Sequence, residues 1–178
     1  MSDADGGGYT LVVDLAGDAT VSAGALGECR LPAGAYAYTG SALGSGGFSR
    51  VDRHRRTARG DHDVRHWHVD YLLGHPKARI DRVVRSVGVD VECAVAARLP
   101  TGPVDGFGAS DCCCPSHLAT GDACGGASDD PDGRDRVARG ARGTLDDLAE
   151  RALAAHETAV AETDDPDATV DVVAGSGE

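Results

Sequence analysis

Apolar positions along the chain fall into short blocks separated by glycine-rich turns. The first, YTLVVDL at 9–15, is a run of β-branched and aromatic residues, and the Gly17-Asp18 break before ATVSAG predicts a hairpin. GECRLPAG at 27–34 reads as a connecting loop, and AYAYTG at 35–40 as a third strand that places Tyr36 and Tyr38 on one face. After the loop SALGSGG, residues 48–59 contain no breaker and many arginines, which predicts a helix. HWHVDYLLG at 66–74 suits a short helix or an irregular buried anchor around Trp67, Tyr71 and Leu72.

Further on, ARIDRVVRSVGV at 78–89 alternates as a strand does, and DVECAVAARL at 90–99 reads as a helix capped by Asp90 and ended by Pro100. Residues 104–118 form a strand or loop rich in cysteine, 119–143 an acidic Gly/Asp-rich linker, and 144–162 an amphipathic helix with Thr144 as its cap. The last 16 or so residues are expected to fray. These elements imply an α/β protein of the α+β kind: one domain over 1–118 with a small, mainly antiparallel sheet flanked by helices, then the linker and a helical, acidic tail over 144–178.

Composition changes the picture in one respect. The formal charge is -12, which by itself argues against a polyanionic partner, yet residues 48–85 hold ten basic and five acidic side chains. By contrast, residues 119–178 hold fifteen acidic and five basic ones. With a single lysine, Lys77, and Asp far in excess of Glu, the composition resembles that of salt-adapted haloarchaeal proteins, so the negative charge describes the solvent and the basic stretch describes the ligand. No apolar run approaches the roughly 18 residues of a membrane span, and MSDADGGGY has neither a basic nor an apolar leader region. The expectation is a soluble, cytoplasmic protein.

Candidate chemistry gathers in GAYAYTGSALGSGGFSRVDRHRR, residues 34–56. Arg50 and His54 lie one helical turn apart, with Arg53 beside them. A guanidinium fork suits phosphate oxygens, an imidazole transfers protons, a phenol orients or deprotonates water, and the preceding glycines admit a ligand close to the backbone. Together these parts suit phosphodiester chemistry. A tyrosine on a strand is more often a packing residue, and Tyr36 is read as structural. Arg53, Arg55, Arg56 and Arg59 are read as phosphate contacts. His68 and Asp70 are balanced between burial and the site.

SDCCCPSH offers Cys112, Cys114 and His117 as zinc-compatible ligands with Asp111 nearby, and Cys93 or Cys124 to complete four. The spacing is not that of a standard finger, and a reducing compartment keeps buried thiols as small apolar residues. Free thiols are therefore the reading taken, with structural zinc as the alternative.

YTGSA at 38–42 followed by SRVDRH at 49–54 closely resembles the second motif and first helix of GIY-YIG nucleases; GGY at 7–9 is similar to their first motif, and VECAVAARL to their metal-binding helix. More narrowly, LPAGAYAYTGSA, RHWHVDYLL, ECAVA and GFGASDCCCPSHL resemble the Uri branch of predicted endonucleases, over residues 7 to about 118. The resemblance implies a metal-dependent endonuclease acting on nucleic acid, DNA first, in repair or structure-selective processing. It implies Tyr9 and Tyr38 as paired phenols, Arg50 as the clamp on the transition-state anion, His54 as its neighbour, and Glu92 as ligand of Mg²⁺ or Mn²⁺. Gly40, Ser41, Arg53 and Arg56 would face the nucleic acid.

Tyr9 and Tyr38 are 29 positions apart, which implies a strand or loop inserted between the two tyrosine motifs. The family's late asparagine has no counterpart. A non-catalytic nucleic-acid-binding module and a structural zinc protein are the alternative readings.

Overall fold

The computed structural model describes residues 5–121 and 136–175, with side chains in the second stretch from Thr144 onward. Its centre is a five-stranded sheet in which every neighbouring pair is antiparallel. In chain order the strands are β1 (Gly7–Leu15), β2 (Ala19–Ser22), β3 (Glu28–Leu31), β4 (Gly34–Ser41), β5 (Ala78–Val87), β6 (Leu118–Thr120) and β7 (Thr169–Ala174). The helices are α1 (Ser49–Ala58), α2 (His68–Leu73), α3 (Glu92–Ala96) and α4 (Arg136–Ala161). The sheet runs β6-β4-β1-β5-β7, while β2 and β3 form a separate ribbon. The fold is α+β, as the apolar pattern implies.

β1 is apolar along nearly its whole length because both faces of the sheet are covered. Tyr9, Leu11, Val13 and Leu15 enter one core with Tyr36 and Tyr38 of β4, the ribbon residues Val21 and Leu31, and Val51, Val69 and Leu72 from α1 and α2. Val12 points the other way, into a core with Ala35, Ala37 and Val84 closed by Val95 of α3 and Leu148 and Ala152 of α4. Against β1, Val13 faces Ile80 and Val12 faces Arg82, so Asp81 is the extra residue of a β-bulge. The bulge lets Ile80 and Val83 share one core while Val84 serves the other.

Several expectations are corrected here. YTLVVDL does not pair with ATVSAG; β1 is the central strand between β4 and β5, and Ala19–Ser22 pairs instead with Glu28–Leu31, which is a strand and not a loop. This ribbon lies in the chain between β1, which carries Tyr9, and β4, which carries Tyr38. The cap of α3 is Val91, with no side-chain cap from Asp90. Thr144 lies inside α4, eight residues after the helix begins at Arg136.

The tail expected to fray carries a strand in its described residues, β7, which pairs with β5 over Thr169–Ala174. Arg85 grips Asp171 through Nε at 2.8 Å and Nη2 at 2.6 Å, and Arg55 donates to the carbonyls of Ala174 and Gly175. Arg55, expected as a phosphate contact, is thus turned to Asp52 and the end of β7. Most of the expected linker, including Cys124, lies outside the described residues. Among the described residues no helix is long and apolar enough to cross a membrane.

Candidate active site and cysteine cluster

β1 and β4 pair so that Tyr9 stands opposite Gly40. A Cβ at Gly40 would lie 2.6 Å from the Tyr9 hydroxyl, so glycine here makes room for the phenol. Gly40 is buried under that ring and does not line the cavity, whereas Ser41 does. The two tyrosine rings lie 6.5 Å apart, and both line a cavity of about 510 Å³. Arg50, Trp67, His68 and Glu92 line the same space, together with Ser110 and Asp111 from the segment before β6.

Behind Tyr9 runs a buried polar chain. The Tyr9 hydroxyl is 2.8 Å from His54 Nε2, and His54 Nδ1 is 3.1 Å from Asp70 Oδ1. All three side chains are essentially without solvent. Burial pushes the Asp70 carboxyl up, but the His54 N–H and the backbone N–H groups of Trp67 and His66 outweigh it and bring the group down to about 2. Asp70 is therefore an anion that only accepts hydrogen bonds, which fixes the proton of His54 on Nδ1 and leaves Nε2 to accept from Tyr9. Burial holds His54 below its ordinary value against the pull of Asp70, so it rests neutral. Burial and the neighbouring Tyr38 raise the Tyr9 phenol well above its ordinary range; burial and the Glu92 and Asp70 carboxylates raise Tyr38. Both phenols are protonated at rest, and among the described residues only Tyr9 has a base in contact.

Arg50 projects from the first turn of α1, where Nη1 donates to Ser41 O at 2.5 Å and the guanidinium stacks 4.6 Å over Trp67. Arg53 reaches Asp70 at 3.5 Å, and its buried Nε has no hydrogen-bond partner among the described residues. Arg56 joins Arg50, Arg53 and Trp67 around an adjoining cleft of about 280 Å³ floored by Gly44, Gly46 and Gly47. Trp67 was expected as a buried anchor; 38 % of it is exposed, because the two arginines, and not the core, hold its ring. Its place at the site has no signal in the sequence beyond its neighbourhood to His66 and His68. His68 accepts from Gly108 N–H at 2.9 Å and stacks near Phe107, so it holds the wall of the cavity.

Glu92 opens α3 with its side chain between two sites. It lines the tyrosine cavity, and its Oε1 lies 3.1 Å from His117 Nδ1. On the far side of that imidazole, Nε2 is 3.3 Å from Cys112 Sγ. Cys93, Cys112, Cys114 and His117 converge so that their ligand atoms all lie within 4.8 Å of one another, a set that could hold a metal ion such as zinc. These thiols are free but not buried as expected: Cys93 is exposed and Cys112 and Cys114 are partly so, while among the described residues Cys29 is the buried one. Burial pushes the Cys112 thiol up, but the backbone N–H of Cys114 and its thiol neighbours bring it below the usual range. Asp111 lies beside this cluster and also faces the tyrosine cavity.

No curated protein and no solved structure matches the chain. A family model described as "Domain of unknown function DUF123" matches residues 8–130, a stretch that takes in both tyrosines, α1, Glu92 and the cysteine cluster. The match covers well over half of the chain, which therefore belongs to the DUF123 family.

Proposed function

We propose that this protein is a metal-dependent endonuclease of the GIY-YIG type, hydrolysing phosphodiester bonds in nucleic acid, with DNA the favoured substrate. The observation that carries the reading is the buried Tyr9–His54–Asp70 chain ending at a cavity that also holds Tyr38, Arg50 and Glu92. Its proton path has a direction. Tyr9 gives its proton to the free Nε2 of His54, the Asp70 anion stabilises the imidazolium that results, and the Tyr9 oxygen takes a proton from the water that attacks phosphorus. A neutral His54 and an ionised Asp70 are the resting states this needs. Tyr38, with no such base, orients the water or the phosphate by hydrogen bonding.

Arg50 supplies the charge that the phosphorane requires, from a position fixed by Ser41 and Trp67. The cleft lined by Arg53 and Arg56 suits flanking phosphates, and the exposed face of Trp67 suits a base. Glu92 fits a hard cation: it is a part-exposed carboxylate facing the cavity, and Mg²⁺ commonly takes one or two protein carboxylates with the rest of its shell from water and phosphate. When bound, Mg²⁺ or Mn²⁺ would neutralise charge on the leaving oxygen.

The test is a cleavage assay with Mg²⁺ or Mn²⁺ over branched, nicked and single-stranded DNA and RNA at molar KCl. Arg50→Ala should lower the rate by about 10²–10³-fold with the fold intact, as for loss of a single anion-stabilising donor. Binding without cleavage on any substrate would favour a non-catalytic module. A folded Arg50→Ala protein that cuts at the wild-type rate would sink the mechanism.

A further inference from the structure

We propose that Cys93, Cys112, Cys114 and His117 form a closed, four-coordinate zinc site that fastens α3 to the irregular segment before β6 and so builds one wall of the tyrosine cavity. The inference stands on the cluster itself and holds whether or not the nuclease reading does. Three thiols and an imidazole are the donor set of tetrahedral structural zinc. Around such an ion, with Zn–S distances of about 2.3 Å, ligand atoms lie roughly 3.7–3.8 Å apart. The four atoms here, all within 4.8 Å of one another, need to close by only about 1 Å.

Two independent features point the same way. His117 is buried and aims Nε2 at Cys112, while its other nitrogen lies 3.1 Å from Glu92 Oε1. A carboxylate behind the second ring nitrogen is the usual way in which a zinc-bound histidine is oriented. The segment 101–117 is also long for a connection with no helix or strand of its own. Its ends are pinned by bonds such as Gly102 N–H to Leu118 O, Gly106 N–H to Pro115 O and His117 N–H to Phe107 O, whereas across 110–114 the described backbone bond is Cys112 N–H to Ala109 O. A metal clip from Cys93 at the start of α3 to Cys112 and Cys114 closes this loop where hydrogen bonding is sparse.

The clip has a consequence for the cavity. Glu92 and Cys93 are adjacent, so an ion held by Cys93 and His117 fixes the carboxylate from both sides. Gly108, in the same segment, passes so near Tyr38 that a Cβ there would stand 2.6 Å from the ring. Fixing the cysteines therefore fixes the surface against which Tyr38 and Glu92 are set.

Metal analysis of the purified full chain should give one zinc per chain, and Co²⁺ exchanged into the site should show the intense visible bands of a tetrahedral thiolate complex. Cys93→Ser and Cys112→Ser should lose the metal, whereas Cys113→Ser, whose exposed side chain lies outside the cluster, should keep it. If the serine variants fail to fold, alkylation of the wild-type protein followed by mass spectrometry decides. Cys93, Cys112 and Cys114 should resist iodoacetamide until a chelator is added, while Cys113 reacts at once. Sub-stoichiometric metal with all four thiols equally reactive, a disulfide among them, or metal loss on Cys113→Ser would overturn the assignment.

Discussion

Asp70 has four partners at once: it accepts from the His54 ring, from the backbone N–H groups of His66 and Trp67 at the start of α2, and from Arg53 Nη2. Replacing it with asparagine keeps the shape but removes the charge and turns one acceptor into a donor. Asp70→Asn should cost about 1–3 kcal/mol of stability, the range for a buried partner left unsatisfied. If His54 takes the proton from Tyr9, cleavage should fall by roughly 10²–10⁴-fold near neutral pH. Burial holds the Tyr9 phenol well above its ordinary range, so the loss should persist into alkaline solution. Wild-type cleavage by a folded Asp70→Asn protein would make Asp70 a purely structural residue. The one-turn spacing of Arg50 and His54 was legible in the sequence, as was Tyr38 two positions before Gly40, but the roles expected of them came from the resemblance to GIY-YIG nucleases and not from the spacing. Asp70 and Cys93 became partners only through folding: no local rule places residue 70 behind residue 54, or residue 93 beside residue 117.

At the scale of elements, the strands and helices from residue 34 to residue 99 followed their periodicity, while the pairing around them did not. β1 was readable as a strand, yet its partners β4 and β5 are distant in sequence, and the nearby Gly17-Asp18 turn points to a false hairpin. β7 was missed because TVDVVA at 169–174 is half-exposed and sits in acidic sequence, so its alternation is weak. Its placement depends on tertiary contacts, the ladder with β5 and the grips of Arg85 and Arg55. Ending the chain after Asp167 should therefore remove on the order of 3 kcal/mol, from lost charged and backbone hydrogen bonds each worth about 1 kcal/mol or more. It should also bare the edge of β5 to pairing with another copy. Urea titration and light scattering of the shortened protein read these two effects. Unchanged stability would make the last strand dispensable to the sheet.

Across the whole molecule two responses to solution conditions should stand out, acid and salt. His156 is fully buried, held between the Thr10 and Ser86 hydroxyls at 2.8 and 2.6 Å, and burial brings it down to about 4. The unfolded chain then binds more protons than the native one between roughly pH 6.5 and 4, so stability is complete above the upper value and falls as pH drops through the window. The full loss is on the order of 3 kcal/mol. Urea unfolding of His156→Gln should show a flatter slope over this range, and an identical slope would assign the acid sensitivity elsewhere. Salt acts through the net charge of -12. On α4, Asp146, Asp147, Glu150 and Glu157 are exposed, as is Glu162 just past its end, and Asp146 repels Glu150 one turn on. Concentrated salt also weakens the ion pairs Arg82–Asp146 and Arg98–Glu162, but such surface pairs contribute only about 0–1 kcal/mol each. Repulsion among many uncompensated carboxylates reaches about 10 Å at 0.1 M salt and only about 3 Å at 1 M, so screening it outweighs the lost pairs. On the proposed function, phosphate binding would oppose this trend, losing roughly 0.9 log units per log unit of salt for each duplex phosphate neutralised. Few, short contacts around Arg50 and Trp67 would limit that loss. Stability and cleavage should therefore both be greatest above about 1 M KCl, with cooperative unfolding lost at low ionic strength. Circular-dichroism melts and cleavage rates across a KCl series test this, and a protein most stable and most active near 0.1 M would refute it.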